Sequence, residues 1–477
     1  MAEPLWTCQA VLAATGGELT GEAGRGFASV AIDSRGLGRD ALFVAIKGER
    51  LDGHAFVAEA LAGNAAGAIV SSPIELADDQ GCLIRVADTL KALNGLGRAA
   101  RARTGATVVA VTGSVGKTGT KEALRLALGQ AGLTHASAKS FNNQWGVPLS
   151  LANMAQETRF GVFEVGMNHA GEIEALVDLV RPHIAIITTV EPVHLEFFAS
   201  VEAIAEAKAE IFHGLVAGGT AVLNRDCAHY ELLRARAMER GAGVVLDFGV
   251  HDRAFARLLD AELGTEGSRV QAMVGTREIS YRIGAPGRHH VLNSLAVLAA
   301  CHAAEIDVAE AAAALAGHHA QKGRGARFIM GEGRERVAII DESYNANPAS
   351  MRAALEAMAQ TPRGDFPRRV AVIGDMLELG DDGPALHRAL AATVDGAGVD
   401  VVFACGPLMA DLFDALPPDR RGGYAPSSSE LAPMVVDAVI PGDVVMIKGS
   451  LGSRMEPIVD ALRQSLTGPK SVCDHEE

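Results

Sequence analysis

The feature that most constrains this chain is a glycine-rich segment that directly follows an apolar run. Val108–Val111 is apolar and mostly β-branched, and Gly113–Thr118 reads Gly-Ser-Val-Gly-Lys-Thr. This order predicts a strand, a tight loop and then a helix, for which residues 121–130 have the right pattern. The backbone N–H groups of such a loop and the N-terminus of its helix bind anions. In that geometry Lys117 reaches phosphate oxygens and the Thr118 hydroxyl can ligate Mg²⁺.

The match to a P-loop is incomplete, because Val111 stands where that motif has its first glycine. An ordinary glycine-rich turn between a strand and a helix is therefore the alternative. The apolar run before the loop and the helical pattern after it favour phosphate binding. The residues expected at the phosphates are Gly113, Ser114, Gly116, Lys117 and Thr118.

Length, charge and composition limit the class of protein. A chain of 477 residues is too long for one hydrophobic core and predicts about three domains. A net charge of −15 argues against nucleic acid or a membrane surface as a partner. The N-terminus has no basic region typical of a signal peptide, and no apolar stretch could span a bilayer. We therefore expect a cytoplasmic, monomeric protein whose six cysteines are free thiols, since none forms a CxxC pair.

Alternating strand-like and helix-like segments predict an α/β chain of three domains. Residues 1–85 form a small α/β domain, residues 86–317 a parallel sheet that contains the glycine loop, and residues 318–477 a Rossmann-like domain. The tail Ser471–Glu477 is expected to be disordered, and Cys473 within it incidental. The strand-like runs of the first and third domains are Ser29–Ile32, Leu42–Ile46, Ala68–Val70, Val337–Ile340, Arg369–Ile373, Val401–Ala404 and Val444–Ile447.

Polar residues stand at the carboxyl ends of the predicted strands, where ligands bind in open α/β sheets. In the middle domain, Glu164 follows the run Phe160–Phe163, and His194 comes soon after Ile184–Val190. A carboxylate at this edge suits Mg²⁺, which prefers oxygen ligands. A histidine is a less usual ligand for Mg²⁺, so a hydrogen-bonding or core role is the alternative for His194.

The third domain has three polar loops at strand ends, which predict a second ligand-binding edge. These loops are Asp341–Pro348, Gly374–Gly380 and Lys448–Ser450. Each alone is also consistent with turn chemistry, because Asn-Pro and Gly-Asp are common in turns. Two such edges suggest a cleft that closes between domains.

Lys208 interrupts an apolar helical stripe. A helix capped by Ser200 and running to Leu215 would have Lys208 on the same face as apolar residues at positions 201, 204, 205, 211 and 212. One interpretation is a lysine whose stem packs while its ammonium reaches water. The other is a buried lysine that is paired or chemically altered. The periodicity alone leaves both open.

Taken together, these motifs resemble those of the Mur ligases, ATP-dependent amide ligases of bacterial cell-wall synthesis. The family motif TG-S/T-x-GKT matches Thr112–Thr118, which also accounts for the missing P-loop glycine. The resemblance covers the chain up to its last ~10 residues. More specific motifs match the members that add D-alanyl-D-alanine: Asn142-Asn143 with Gly146–Pro148, YNANP at Tyr344–Pro348, GDMxELG at Gly374–Gly380, and KGS with a later Met-Glu in Lys448–Glu456.

The resemblance implies an ATP-driven ligase that joins D-Ala-D-Ala to UDP-N-acetylmuramoyl-tripeptide through an acyl phosphate, in peptidoglycan precursor synthesis. It implies catalytic roles for Lys117, Glu164, His194 and Lys208. Lys208 would be carbamylated and would bind Mg²⁺ with Thr118, Glu164 and His194. Further nucleotide contacts would come from Asn293, Arg324, Asp341 and Asn345. Substrate contacts would come from Asp33, Ser34, Arg35, Lys47 and Gly48 at the UDP end, and from Asn142, Asn143, Tyr344, Asn347, Lys448 and Ser450.

The sequence departs from the family pattern at three places. Gly119 replaces the hydroxyl residue that commonly follows Lys-Thr, His290 replaces a frequent asparagine, and Asp341-Glu342 replaces a pair of aspartates. Three alternatives to the dipeptide ligase are considered. They are a related Mur-type or folylpolyglutamate-type ligase with another amine, a P-loop NTPase switch that binds a partner protein, and an inactive binding protein.

Overall fold

The computed structural model describes residues 3–22, 24, 26–48, 50–74 and 81–467. Within these ranges the chain forms three β-sheets of five, nine and six strands, with helices packed on them. The prediction of a three-part α/β chain is thereby confirmed, while the exact boundaries at 85 and 317 stay a prediction. The tail Ser471–Glu477 and Cys473 lie outside the described residues.

The first sheet comes from residues 18–85. Its strands are β1 (Glu18–Gly21), β2 (Ser29–Ala31), β3 (Ala41–Val44), β4 (Ala65–Val70) and β5 (Cys82–Arg85). Their order is β1-β5-β4-β3-β2, and β1 alone among them runs antiparallel to its neighbour. The helices are α1 (Cys8–Thr15), α2 (Val57–Ala62) and α3 (Thr89–Arg103). The three predicted strand runs of this part are confirmed to within a few residues at each end.

The second sheet contains the glycine loop. Its strands are β6 (Thr107–Thr112), β7 (Thr134–Ala136), β8 (Phe160–Glu164), β9 (Ile184–Ile187), β10 (Thr220–Asn224), β11 (Val244–Gly249), β12 (Ala256–Gly264), β13 (Gly267–Val274) and β14 (Arg277–Ile283). Their order is β14-β13-β12-β11-β10-β9-β6-β8-β7. The helices are α4 (Lys117–Gly129), α5 (Gly146–Ala152), α6 (Glu172–Val180), α7 (Val201–Ala209), α8 (Tyr230–Glu239), α9 (Arg288–Ala303) and α10 (Val308–Ala314).

The parallel part of this sheet is buried on both faces. Along β6, Val109 and Val111 pack into the core that contains α4 and α9. Val108 and Ala110 pack into the core on the opposite face, with α5, α6 and α7. Continuous apolar runs are what such doubly covered strands require. Strands β12 to β14 instead form an antiparallel meander, which the sequence analysis did not predict.

The third sheet is also covered on both faces. Its strands are β15 (Ala326–Met330), β16 (Val337–Glu342), β17 (Arg368–Gly374), β18 (Val401–Cys405), β19 (Arg421–Ala425) and β20 (Asp443–Lys448). Their order is β15-β16-β20-β17-β18-β19, with β15 antiparallel and the rest parallel. The helices are α11 (Pro348–Ala359), α12 (Gly383–Gly396), α13 (Met409–Ala415), α14 (Ser428–Ala438) and α15 (Glu456–Thr467). The four predicted strand runs are confirmed.

The helix that carries Lys208 is shorter than the sequence pattern suggested. The Ser200 hydroxyl caps α7 by accepting from the Ala203 N–H at 3.1 Å, as expected. The α-helix nevertheless ends at Ala209 and continues as a single 3₁₀ turn, not as a helix to Leu215. The chain then turns at Gly214, where an added Cβ would lie 2.2 Å from the Val177 carbonyl oxygen on α6. This close backbone approach ends the helix, and apolar periodicity does not reveal it.

Two expectations from composition can be compared with the structure. Within the described ranges, no helix combines the length and apolar character needed to cross a membrane. The described cysteines are all free thiols, as predicted, and they are Cys8, Cys82, Cys227, Cys301 and Cys405.

Two helical glycines offer a matched test of the packing. A Cβ on Gly95 in α3 would lie 2.3 Å from the Ala14 carbonyl oxygen of α1, whereas a Cβ on Gly129 in α4 would meet nothing within 4 Å. We expect Gly95→Ala to lower the free energy of unfolding by about 1–3 kcal/mol, because backbone must move. We expect Gly129→Ala to raise it by about 0.4–1 kcal/mol, because the unfolded chain loses entropy. Calorimetric melting temperatures of the two variants should therefore shift in opposite directions, and equal shifts would contradict the packing of α1 on α3.

Candidate active site

The phosphate loop lies between β6 and α4, and two of its glycines are required by contacts. Gly113 and Gly116 have φ angles of +147° and +87°. A Cβ on Gly113 would lie 1.9 Å from the Thr188 hydroxyl oxygen, and one on Gly116 would lie 2.5 Å from the Asn293 amide nitrogen. The loop can pack against Thr188 and Asn293 only because these positions lack side chains. This also places Asn293, expected at the nucleotide, directly beside the loop.

Hydrogen bonds fix the rest of the loop. The Ser114 hydroxyl donates to the Glu191 carbonyl at 3.1 Å and accepts from the Glu191 N–H at 2.9 Å. The Lys117 ammonium donates to the Gly113 carbonyl at 2.7 Å. Burial lowers the pKa of Lys117, the Glu164 carboxylate opposes this shift, and the Arg324 charge adds to it. The loop is therefore preorganised, and its own backbone holds the Lys117 ammonium.

Glu164 accepts hydrogen bonds from two other residues that the sequence predicted at the site. It ends β8 and is only 1% exposed. The Thr118 hydroxyl donates to one carboxylate oxygen at 2.9 Å, and the Asn142 amide donates to the other at 2.7 Å. The hydroxyl and the carboxylate are oxygen donors of the kind that Mg²⁺ prefers. Among the described residues there is no group of three or more His, Cys, Asp or Glu side chains that could enclose a metal. This donor set fits Mg²⁺, which takes few protein ligands and completes its shell with water and phosphate oxygens.

Arg324, from the third part of the chain, brings a second positive charge close to Lys117. Arg324 precedes β15 of the third sheet, and its guanidinium donates to the Ser140 hydroxyl at 3.0 Å. The same guanidinium lies 4.0 Å from the ring centre of Tyr344. Arg324 is close enough to lower the pKa of Lys117. Because Lys117 and Arg324 line the same cleft, an anion bound between them would be stabilised by both charges.

Lys208 is buried, so the interpretation of a lysine that reaches water is wrong. The residue is 2% exposed. Burial, and then the charge of Lys117, lower the pKa of Lys208 well below its ordinary value. Both effects shift the balance at this position toward the neutral amine.

His194 does not contact Glu164 and instead meets the third part of the chain. Its Nδ1 lies 2.5 Å from a carboxylate oxygen of Glu378, within the GDMxELG motif. His194 lines the same cleft as Thr118 and Glu164. Of the four residues predicted at the metal, two are therefore in direct contact, His194 borders the same space, and Lys208 lies near Lys117.

The three polar loops of the third sheet meet at one edge because β16, β20 and β17 are adjacent. Lys448 donates to the Glu342 carboxylate at 3.2 Å and to the Asn345 carbonyl at 2.9 Å. The Ser450 hydroxyl donates to the Ala346 carbonyl at 3.2 Å and accepts from the Leu377 N–H at 2.9 Å. The KGS segment therefore ties the YNANP and GDMxELG loops together.

Some predicted site residues use their side chains to shape loops. Asp341 is fully buried and accepts from the Gly323 N–H at 2.8 Å, which supports the turn that carries Arg324. Asn347 caps α11 by accepting from the Ser350 N–H at 2.8 Å. Asn143 accepts from the Gly146 N–H at 3.0 Å where α5 begins. Turn chemistry, the alternative considered for such residues, accounts for these contacts.

The loops of the second and third sheets enclose one cleft of about 1480 Å³. This volume exceeds that of a typical pocket for one small molecule and leaves room for more than one substrate. The predicted residues that line it are Ser114, Gly116, Lys117, Thr118, Asn142, Asn143, Glu164, His194, Asn293, Arg324, Tyr344, Asn345, Asn347, Lys448 and Ser450.

The residues predicted at the UDP end lie outside this cleft. Asp33 pairs with Arg35 at 2.7 Å, and the Arg35 hydrogen bonds, helped by the charge of Lys139, lower the pKa of Asp33 to about 2. A Cβ on Gly48 would lie 3.7 Å from the Trp145 ring. Lys139 and Trp145 belong to the segment that also carries Asn142 at the cleft. Asp33 and Gly48 therefore lie near the segment that borders the cleft, while Ser34, Arg35 and Lys47, also predicted at the UDP end, do not line the cleft.

Gly119 and His290, two of the residues that depart from the family pattern, lie beside each other. A Cβ on Gly119 would lie 3.5 Å from the His290 ring, so the ring borders the space that a side chain at 119 would enter. The His290 ring centre lies 4.2 Å from that of His289 and 5.6 Å from that of His318. Burial lowers the pKa of His290 well below its ordinary value, so these rings form a neutral wall of the cleft.

Lys121, which lies on the buried face of α4, was not among the predicted site residues. Its side chain is fully buried, and its ammonium donates to the carbonyls of Ser137 at 2.7 Å and Lys139 at 2.8 Å. It also pairs with Glu122 at 2.7 Å. Lys121 thus ties the helix of the phosphate loop to the segment that carries Ser140 and Asn142. Its spacing from Lys117 and Leu124 repeats the helical pattern that drew attention to Lys208.

Comparisons with known proteins agree with this geometry. Three family models match in succession: the Mur ligase family catalytic domain at residues 27–101, the Mur ligase middle domain at 111–301, and the Mur ligase glutamate ligase domain at 326–451. The UDP-N-acetylmuramoyl-tripeptide–D-alanyl-D-alanine ligase of Rickettsia prowazekii (strain Madrid E) is 34% identical, over 90% of this chain and 94% of that protein. The enzyme of the same name from Escherichia coli (strain K12) is 33% identical, over 92% and 94%.

Solved structures show the same likeness. A crystal structure of MurF from Acinetobacter baumannii has a TM-score of 0.84 and 28% identity, covering 96% of this chain and 99% of that one. MurF from Thermotoga maritima in complex with ADP has a TM-score of 0.75 and 26% identity, covering 92% and 97%. The fold is that of a ligase built from three α/β parts. The chain belongs to the Mur ligase family.

Lys121→Met should loosen the segment that borders the cleft. Methionine fills the space but leaves the carbonyls of Ser137 and Lys139 without their charged donor, and each such hydrogen bond contributes about 1.5–3 kcal/mol. Because a tenfold change corresponds to about 1.4 kcal/mol, amide hydrogen exchange over residues 137–143 should rise tenfold or more. Lys91→Met, at an exposed position on α3, is the control and should leave this segment unchanged. Wild-type exchange in the Lys121 variant would contradict the proposed tie.

Proposed function

We propose that this protein is an ATP-dependent peptide ligase that joins D-alanyl-D-alanine to UDP-N-acetylmuramoyl-tripeptide in peptidoglycan precursor synthesis. The observation that carries the proposal is that Lys117, Arg324 and the buried Glu164 line one cleft bordered by two sheet edges, with Arg324 and Glu164 both close enough for their charges to act on Lys117. The relatives that bear this name match over nine-tenths of the chain. The MurF structure solved in complex with ADP supports a nucleotide as a ligand.

The glycine loop and its lysine serve the first chemical step. The terminal carboxylate of the tripeptide attacks the γ-phosphoryl group of ATP, which yields an acyl phosphate and ADP. A carboxylate is a poor electrophile, so this activation is the purpose of the nucleotide. Lys117, the loop N–H groups and Arg324 offset the negative charge of the triphosphate and of the approaching carboxylate. Their preorganised positions mean that little rearrangement is needed during the reaction.

Thr118 and Glu164 are the residues that would hold Mg²⁺, with His194 and a modified Lys208 completing the protein's contribution. Mg²⁺ bound there would neutralise phosphate charge. Asn142 keeps the Glu164 carboxylate oriented through its 2.7 Å hydrogen bond. Asn293, beside Gly116, and the neutral His290 wall are placed for the nucleotide base.

Lys208 is proposed to react with CO₂, giving a carbamate and releasing one proton. The reaction needs the unprotonated amine, which burial and the nearby Lys117 charge favour. It converts the neutral amine into an anion with two oxygen atoms, and the anion would pair with Lys117 or Mg²⁺.

The third sheet serves the second step. The amine of the dipeptide attacks the acyl phosphate carbon, phosphate leaves, and the nitrogen loses a proton. Tyr344, Lys448 and Ser450 border the part of the cleft proposed for the dipeptide. Water would hydrolyse the acyl phosphate, so the contacts of Arg324 and Glu378 across the cleft also keep the reaction enclosed.

An acceptor screen tests this function. Phosphate release is measured with ATP, UDP-N-acetylmuramoyl-tripeptide and D-Ala-D-Ala, D-Ala, L-Lys or D-Glu in turn. We expect turnover to require the UDP-tripeptide and to be much faster with the dipeptide. Lys117→Ala should lower every rate by about 100-fold or more, because it removes a charge that stabilises phosphoryl transfer. Equal rates with a single amino acid would favour the related ligases, and ATP turnover without the UDP-tripeptide would favour an NTPase switch.

Lys208→Ala tests the carbamate. We expect a loss of about 100-fold or more, with partial recovery when short carboxylic acids supply oxygen atoms to the vacated space. Wild-type activity should fall in CO₂-free buffer and return with bicarbonate. Lys91→Ala, at an exposed lysine, should show neither effect. Full activity of Lys208→Arg would refute the carbamate, because a guanidinium cannot form it.

A further inference from the structure

Glu378 stands on a loop that the third sheet holds firmly. The loop follows β17, and its Met376 N–H donates to His387 Nε2 at 2.9 Å. Its Leu377 N–H donates to the Ser450 hydroxyl at 2.9 Å. The next residue, Glu378, has a φ of +62° and carries its side chain across the cleft. The position of the carboxylate is therefore set by the third sheet.

The contact between the two parts of the chain involves backbone as well as side chains. His194 Nδ1 lies 2.5 Å from the Glu378 carboxylate, and the Glu196 N–H donates to the Glu378 carbonyl at 3.3 Å. A Cβ on Gly380 would lie 3.4 Å from the Cα of Glu196. The loop after β9 and the loop after β17 thus fit closely against each other.

Both residues of the pair have an unfavourable backbone conformation. Seven described non-glycine residues have positive φ angles, and two of them, His194 at +56° and Glu378 at +62°, contact each other. Non-glycine residues in this region cost free energy and persist where the surrounding structure maintains them, often at functional sites. Their meeting across the cleft indicates that the position of both side chains matters.

The contact decides which imidazole nitrogen of the neutral His194 ring carries the proton. An ionised carboxylate only accepts hydrogen bonds, so in the neutral ring Nδ1 carries the proton and donates to Glu378. Nε2 is then left with its lone pair, and His194 lines the cleft beside Glu191 and Val193. Histidines that bind metals commonly donate their other N–H to a carboxylate in this way.

We propose that Glu378 is a positioning residue that fixes the tautomer and orientation of His194, so that the central site is complete only when the third sheet is docked. This inference rests on the metal role of His194 in the proposed function. Phosphoryl transfer would thereby be restricted to the arrangement in which the dipeptide-binding loops are also in place. Docking of the dipeptide-binding loops and activation of the substrate carboxylate would be coupled through the hydrogen bond between His194 and Glu378.

Variants at 378 test this with two measurements. In Glu378→Ala, the Mg²⁺ concentration for half-maximal ligation should rise 10- to 100-fold, the usual effect of removing such a partner. ¹⁵N NMR of the histidine-labelled full chain, with the His194 signal identified by its loss in His194→Gln, should show the proton moving from Nδ1 toward Nε2. Glu378→Gln keeps an oxygen that accepts from Nδ1, so it should retain the wild-type tautomer and most of the Mg²⁺ response. Asp381→Asn, an exposed carboxylate just beyond the same loop, should match wild type in both.

The two measurements separate this inference from the function itself. The tautomer comparison requires no turnover, so it reports on the His194–Glu378 contact even if the acceptor screen rejects the dipeptide ligase. A wild-type Mg²⁺ response together with a wild-type tautomer in Glu378→Ala would overturn the proposal. Unchanged far-UV circular dichroism and melting temperature in that variant would establish that the fold is intact, as expected for a half-exposed side chain on a loop.

Discussion

Positive charge withdrawn from water is the constraint on which this structure depends. Lys117, Lys208 and Arg324 lie close enough to influence one another, and Glu164 is the carboxylate that opposes the charge of Lys117. Unpaired buried charge is costly, so the arrangement is stable to the extent that its cations are neutralised, hydrogen-bonded or paired. Lys117 donates to a loop carbonyl, Arg324 contacts Ser140 and Tyr344, and burial together with the charge of Lys117 lowers the pKa of Lys208. A polyphosphate supplies the charge that the protein itself does not, and this explains why an acidic protein can bind an acidic nucleotide.

The residues around this centre are positioned by contacts that lie behind them. Thr118 and Asn142 each donate a hydrogen bond to a different carboxylate oxygen of Glu164, and together they fix its orientation. Lys121 donates to the Ser137 carbonyl, in the segment that leads to Asn142. Asp341 accepts from the Gly323 N–H, in the turn before Arg324. Because each supporting residue is itself buried or hydrogen-bonded, the active groups have little freedom to rearrange. The family members found by comparison share the fold, and in this chain Gly119 and the His290 ring lie side by side at one wall of the cleft.

How well a feature could be predicted from the sequence depended on how far apart in the chain its interacting residues lie. The glycine loop, the cap at Ser200 and the apolar strand runs are local, so pattern and propensity predicted them well. Glu164 and the three loops of the third sheet were found because parallel strands end at a common edge, which is a general geometric rule. The pairing of His194 with Glu378 could not be predicted, since no local pattern links residues 184 positions apart. The early end of α7 was missed for a similar reason, because it depends on the backbone of α6.

The order of the strands in the third sheet has a consequence for synthesis of the protein. Strand β20, from residues 443–448, lies between β16 and β17 and is the last of the described strands in the chain. While a ribosome is still making the preceding segments, β16 and β17 have no common neighbour and expose facing edges with unpaired backbone groups. Such edges are prone to join with other chains. The third sheet must therefore fold after translation of nearly the whole chain, and interrupted products are expected to need chaperones or to be degraded.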